Sequence, residues 1–349
     1  MKIGFVIYGS LDTVSGGYLY DRKLVEYLRA QGDTVEILSL PWRNYVSHLT
    51  DNFSFRLPPN LDIVIQDELS HPSLIGANAG THPYPVISLV HHLRCSELRL
   101  KWQNDLYRIV EKKYLQSVDG FIFNSKTTEE VVTGLLKSSK PSVVGYPPTD
   151  RFGNRVISEA AVQERAKSDE LRILFLGNVI YRKGLLTLLK AVKGLKSKVK
   201  VDVVGGLNAE PKYAHEMERY SLIHGLSSVT FHGALDNEPL IKMYKQAHVM
   251  AVPSSYEGFG IVYLEGMGFG LPAIGTTTGA ASEIITHGED GYLIQPDNVE
   301  SLAKILDELA TNRKLLLKLS LNAVKRYKSQ PRWEETAKGI RNFLYRMAA

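Results

Sequence analysis

The chain has 349 residues, of which 44% are hydrophobic and 23% charged. These values are ordinary for a globular protein and exclude a disordered chain, a collagen-like fibre and a disulfide scaffold, the last also because Cys95 is the single cysteine. Forty-two basic against 37 acidic residues leave a net +5, an excess suited to anionic ligands or an anionic surface but too scattered to argue for nucleic acid.

At roughly 150 residues per domain, the length suggests two domains. Short runs rich in valine and isoleucine predict strands at 2–9, 34–40, 62–66, 85–91, 119–125 and 142–146. They lack strict alternation, which is how strands buried on both faces of a parallel sheet read. Amphipathic stretches between them predict helices. The clearest covers 17–30, with Leu24, Val25 and Leu28 on one stripe and Gly32 as a stop. Repeated strand-then-helix units predict a doubly wound sheet over 1–148. Prolines and glycines at 145–155, then a polar stretch, predict a linker over 149–169. Six more strand candidates follow, at 171–178, 199–206, 229–235, 249–254, 272–276 and 291–295. They predict a second Rossmann-like domain over 170–330. After Pro296 the chain reads as helical, and 331–349 is expected to return toward the first domain. Two such α/β domains predict a ligand cleft facing the carboxyl ends of both sheets.

Several functions are disfavoured by missing motifs. No Gly-x-Gly-x-x-Gly follows a strand, and no Gly-x-x-x-x-Gly-Lys-Ser/Thr is present. Neither a zinc ligand pattern nor a Gly-x-Ser-x-Gly elbow occurs. No Asp-x-Asp follows a strand, so no carboxylate pair is visible to hold Mg²⁺ or Mn²⁺ on a diphosphate. No metal and no bound cofactor are expected; backbone amides and fixed cations would neutralise a diphosphate here. The least polar long stretch, 259–275, contains Glu265, Pro272 and five glycines, which argues against a membrane span. No signal peptide is readable after Met1, so a cytoplasmic location is expected.

The most informative stretch is 253–285, PSSYEGFGIVYLEGMGFGLPAIGTTTGAASEII. Glu257 sits in a loop after a buried strand, followed by Gly258 and Gly260, and a helix is expected from Ile261. Helix-start amides and glycines suit an approaching anion. Glu265, about one turn into the helix, could accept two hydrogen bonds from a vicinal diol such as a ribose, and Glu257 could do the same for other hydroxyls. Two carboxylates and an amide nest beside a cleft describe a nucleotide-sugar site.

This pattern resembles the retaining, GT-B-fold glycosyltransferases of family 4, the glycosyl transferases group 1, whose signature is Glu-x7-Glu. The resemblance runs along nearly the whole chain. It includes the glycine-rich loop and helix near the N-terminus, Gly32-Asp33-Thr34-Val35 in place of the family's Gly-His-x-Val, and FLGNVIYRKGLLTLLKAV as a phosphate-binding lysine loop. GLPAIGTTTGAASEII and the terminal RWEETA complete it. The resemblance implies that Glu265 binds the nucleotide ribose and Glu257 the donor sugar. It implies that amides at Gly258, Phe259, Gly260 and Ile261 meet sugar and phosphates, and that Lys183 neutralises the diphosphate. Where many relatives carry an arginine this chain has Asn178, and Arg182 is the alternative cation. Gly16 and Gly17 match a loop that touches the diphosphate. Gly233 and Leu235 lie in FHGALDN, which is expected to meet the base through backbone groups. The family's histidine near the anomeric carbon matches His91 or His92, with His91 favoured because it directly ends the apolar run.

The implied reaction is metal-independent transfer of a sugar from a nucleotide-diphospho-sugar to a hydroxyl acceptor: a glycan, a lipid-linked molecule or a small molecule. The alternative is a non-catalytic sugar-nucleotide or glycan-binding subunit of a glycosyltransferase complex. A further segment, 94–113, has six basic and three acidic residues, and Leu98, Trp102, Leu106, Ile109 and Val110 can share a helix face. Either that face brings the enzyme to an anionic membrane as a peripheral protein, or it is buried in the domain. The basic run 182–200 is expected to be a packed helix with a solvated lysine face.

Overall fold

The computed structural model describes every residue except 14, 81, 149, 154 and 156. The chain divides into two units, one of Met1–Pro148 with Pro331–Ala349, the other of residues 149–330.

The first unit holds six parallel strands: β1 (Lys2–Tyr8), β2 (Thr34–Leu40), β3 (Ile63–Asp67), β4 (Val86–Val90), β5 (Gly120–Phe123) and β6 (Ser142–Val144), in the order β2-β1-β3-β4-β5-β6. Ile3, Phe5, Val6 and Ile7 of β1 are all fully buried, so both sheet faces are covered and the strand reads as an unbroken apolar run. The helix Gly16–Ala30 starts at Ser15, whose hydroxyl accepts the Tyr18 N–H at 3.2 Å. It buries Leu24, Val25 and Leu28, and Asp21 sits on the same inward stripe. The helix Trp333–Ala348 adds Ala337, Ile340, Phe343 and Leu344 to the core around Ile3, Phe5 and Leu24. It is tied down at its edges. Trp333 Nε1 donates to the Lys23 carbonyl at 3.0 Å, and Arg341 Nε donates to Asp33 Oδ2 at 2.7 Å. Asp33, at the position where the family carries histidine, thus has a structural partner in this chain.

The second unit holds β7 (Leu171–Leu176), β8 (Val199–Val204), β9 (Val229–Gly233), β10 (Val249–Ala251), β11 (Ala273–Thr276) and β12 (Gly291–Ile294), again all parallel, in the order β12-β11-β10-β7-β8-β9. The strand order reverses between β1 and β3 in the first unit and between β7 and β10 in the second. Ligands of doubly wound sheets bind at such reversals.

The expected linker over 149–169 is not a linker. It is folded into the second unit, where the helix Glu159–Arg165 is capped by Ser158 and buries Val162. Arg165 donates to the carbonyls of Gly270 at 2.8 Å and Tyr244 at 3.3 Å. Its polar composition is that of a short surface helix, a pattern that resembles a linker because only one side chain per turn is buried. Residues 149, 154 and 156 of that stretch lie outside the described residues. Among the described residues no helix is long and apolar enough to cross a membrane.

Candidate active site

In the second unit three loops converge where the strand order reverses. β7 runs through Gly177 and Asn178 into the turn Tyr181–Lys183, closed by Gly184 at φ +71°. A Cβ on Gly184 would stand 2.1 Å from the Pro253 carbonyl oxygen, so glycine is what lets the loops after β7 and β10 touch. The Ser255 N–H donates to the Arg182 carbonyl at 2.8 Å, and the Ala280 N–H, after β11, donates to the Glu257 carbonyl at 2.8 Å.

This backbone frame brings Lys183 Nζ to 2.5 Å from Glu257 Oε1. Ser254 Oγ donates to the same oxygen at 2.6 Å. Arg182 Nη1 lies 3.7 Å from Glu257 Oε2 and donates to the Tyr256 carbonyl at 2.6 Å. Burial alone would raise the Glu257 pKa, but Lys183, Arg182 and the hydroxyl of Ser254 bring it down to about 2. Burial lowers the Lys183 pKa from its ordinary value, with Arg182 adding to the effect and Glu257 opposing it. Two cations therefore lie against one carboxylate in a poorly hydrated place.

The helix Ile261–Gly268 starts directly behind this cluster at Gly260, φ +93°, and its partly positive end faces the Glu257 loop in sequence. Tyr263 anchors the helix by donating to the Val252 carbonyl at 2.6 Å. Glu265 is buried on that helix but does not join the Glu257 cluster. Its Oε1 accepts from Arg151 Nη1 at 2.8 Å and its Oε2 from the Tyr244 hydroxyl at 2.7 Å. Burial lowers the Arg151 pKa and Glu265 more than offsets it, leaving it raised. Asn178 accepts the Gly206 N–H at 3.3 Å and so closes the ends of β7 and β8. Gly233, at φ +68°, ends β9, and Leu235 is half-buried just after it.

The first unit has its own cluster at the ends of β1, β3 and β4. His91 Nε2 lies 3.0 Å from Asp21 Oδ1. Gly16 opens the helix that carries Asp21, and a Cβ on Gly17 would press within 3.3 Å of the His91 ring. Burial lowers the His91 pKa, but Asp21 and Asp67 outweigh it and leave it raised. Burial pushes Asp67 up to about 7, with Asp21 adding to the shift. The loop after β4 is held from within: Glu111 accepts the N–H groups of Arg94 and Cys95, and the Asn124 amide donates to the His91 carbonyl at 2.8 Å. His92 faces Glu97 instead, at 3.0 Å. Ligand atoms of Asp21, Asp67 and His91 lie close enough to share a cation, as do those of Glu68, His71 and Glu111. Both sets are engaged in protein hydrogen bonds: His91 with Asp21, His71 with the Tyr45 hydroxyl and the Glu68 carbonyl.

Sequence reasoning missed Ser254, Arg151, Tyr244 and Asp21. Asp21 left a signal, since it falls on the apolar stripe of Leu24, Val25 and Leu28, where a carboxylate needs a partner.

Residues 156–326 match the profile described as Glycosyl transferases group 1. These residues, most of the second unit, carry a group 1 glycosyltransferase domain. An uncharacterized glycosyltransferase of Methanocaldococcus jannaschii is 27% identical over 276 residues, covering 76% of this chain and 70% of that protein. Matches to two further relatives span 46% and 51% of their lengths. Among solved structures, sucrose-phosphate synthase from Thermosynechococcus elongatus superposes with a TM-score of 0.81 at 21% identity, over 99% of this chain and 98% of that one. Anabaena HepE in complex with UDP-glucose gives 0.75 at 16% identity, over 99% and 100%. These likenesses establish the fold of this glycosyltransferase as GT-B.

Proposed function

We propose that this glycosyltransferase moves a sugar from a nucleotide-diphospho-sugar to a hydroxyl acceptor, with retention of anomeric configuration and without a metal ion. The observation that carries the proposal is the cluster in which Lys183 and Arg182 share the single carboxylate of Glu257. Both cations sit at the strand-order reversal, beside a helix start, where a diphosphate would be received. The structural neighbour HepE is seen with UDP-glucose, which supports a nucleotide sugar as donor.

In this reaction the bond from the anomeric carbon to the diphosphate oxygen breaks as the acceptor oxygen bonds to that carbon on the same face. The acceptor proton passes to a departing phosphate oxygen. Lys183 and Arg182 stabilise the charge that grows on the diphosphate, and fixed cations act strongly because they need no reorientation during the step. Glu257 holds Lys183 in place and offers a carboxylate to sugar hydroxyls. Glu265 serves the ribose, exchanging its bond to Arg151 for sugar hydroxyls. The amides of Gly258, Phe259, Gly260 and Ile261 contact the sugar and phosphates. Asn178, Gly233 and Leu235 line the nucleotide side, while His91, Gly16 and Gly17 are substrate-contacting residues of the first unit.

A panel of nucleoside diphosphates in thermal-shift assays, followed by donor hydrolysis and transfer with and without EDTA, tests this reading. Stabilisation by a diphosphate but not by the matching monophosphate, and turnover unchanged in EDTA, are expected. No response to any nucleoside diphosphate overturns the donor assignment, and strict divalent dependence overturns the metal-free mechanism.

A further inference from the structure

The helix Lys101–Gln116 has two apolar faces. Its inner face packs into the first unit, where Tyr114 and Leu115 are buried and Tyr107 lies against the same core. Its outer face is uncovered. Trp102, Leu106 and Ile109 recur at helical spacing and are 61%, 57% and 66% exposed, while Leu98 and Leu100, just ahead of the helix, are 55% and 63% exposed. Single exposed apolar side chains need no explanation, but five between residues 98 and 109 form a stripe.

The charges beside the stripe say what would cover it. Lys101, Arg108 and Lys112 run along one flank, and Lys113 falls in line with Trp102, Leu106 and Ile109 a turn further on. The segment's acidic groups are already engaged. Glu111 is buried on backbone N–H groups, Asp105 pairs with Arg108 at 3.2 Å, and Glu97 pairs with Arg99. Next to the cationic flank is a hollow of about 480 Å³, lined by Leu93 and Leu135 and by Arg108, Lys112 and Lys137. Cations from two helices thus border one apolar-walled recess. A second copy of the chain would bring this positive flank against itself, which disfavours self-association through the stripe.

We propose that the first unit docks on an anionic phospholipid bilayer through this face. Trp102, Leu106 and Ile109 enter the interfacial layer, and Arg108, Lys112 and Lys137 meet lipid phosphates. Long basic side chains suit this role because their stems can lie along apolar surface while the charge stays at the headgroups. The inference goes beyond the transfer reaction and does not depend on it, because its readout is vesicle binding.

The test uses the full chain in co-sedimentation with vesicles of phosphatidylcholine alone or mixed with phosphatidylglycerol, at low and high salt. The wild type is expected to pellet with the anionic vesicles at low salt and to be released by high salt. The triple variant Trp102→Ser, Leu106→Ser, Ile109→Ser should bind at least about tenfold more weakly. The double variant Arg108→Gln, Lys112→Gln should bind more weakly and with a shallower salt dependence. Thermal melts check that each variant remains folded, and single serine substitutions at Trp102 or Ile109 replace the triple variant if it does not. Absence of wild-type binding, equal binding by wild type and the serine variants, or a stripe-mediated dimer that ignores vesicles would each overturn the proposal.

Discussion

The two units solve the same topological problem with opposite charges. Each gathers polar side chains at the carboxyl ends of its strands, where the strand order reverses. In the first unit, Asp21 and Asp67 surround one imidazole, that of His91. In the second, Lys183 and Arg182 surround one carboxylate, that of Glu257. Burial and these charged neighbours together shift the pKa values. His91 is held toward its charged form and Asp67 toward its neutral form, while Glu257 is held ionised and Lys183 is pulled away from its charge. A shared architecture places a site but leaves its electrostatics to a few side chains.

The comparison breaks most sharply at Lys183. Lys183→Ala should lower turnover by about 10²–10³-fold, the range for losing a preorganised charge-stabilising group. Wild-type rates in steady-state assays would remove it from the reaction. Glu257→Ala should impair transfer in the same direction and also destabilise the fold by about 3–5 kcal/mol, because it strands a buried cation; urea titration measures that part. A smaller effect is expected from Asp21→Asn, which leaves His91 in place but removes a charged hydrogen-bond partner. A loss of about tenfold in turnover is expected, with the His91 limb of the pH–rate profile moved to lower pH; an unmoved limb would separate Asp21 from His91 function.

The pH-dependent effects are on stability, and they have opposite signs in the two units. Glu257 binds its proton less tightly in the folded chain, at about 2, than at the ordinary 4.5. Its contribution is complete above pH 4.5 and is lost as the pH falls toward 2, and Glu257→Gln should erase that acid-sensitive part. Asp67 binds its proton more tightly when folded, at about 7 against the ordinary 3.8. The wild type should therefore lose stability relative to Asp67→Asn as the pH rises from 3.8 to 7, and the offset should stay constant above that. Chemical unfolding across pH checks both; parallel curves for wild type and variants would contradict these assignments.

Much of this arrangement was legible from the chain. The twelve strands among the described residues announced themselves because parallel strands buried on both faces are rich in valine and isoleucine, as in Ile63–Asp67 and Val86–Val90. The pairing of Lys183 with Glu257 was not legible, because it needs two strands distant in sequence to lie side by side at a reversal. Strand order was not legible, since the return path of a connecting helix is decided by packing and leaves no local mark. The partners of Glu265 were equally hidden. Arg151 lies 114 positions away in a polar stretch, and nothing about an exposed-looking arginine says which carboxylate it will reach. Trp102, Leu106 and Ile109 show the limit from the other side, because periodicity identifies an apolar face without saying whether the fold covers it.

The first unit is discontinuous, and this has a consequence for biosynthesis. Ile340, Phe343 and Leu344 belong to the same core as Ile3 and Phe5, yet the whole stretch 149–330 is translated between them. The first unit thus begins to emerge from the ribosome before the second but is completed only after it. Until Trp333–Ala348 arrives, a nascent chain must carry an open apolar seam beside β1, a window in which chaperones would find it.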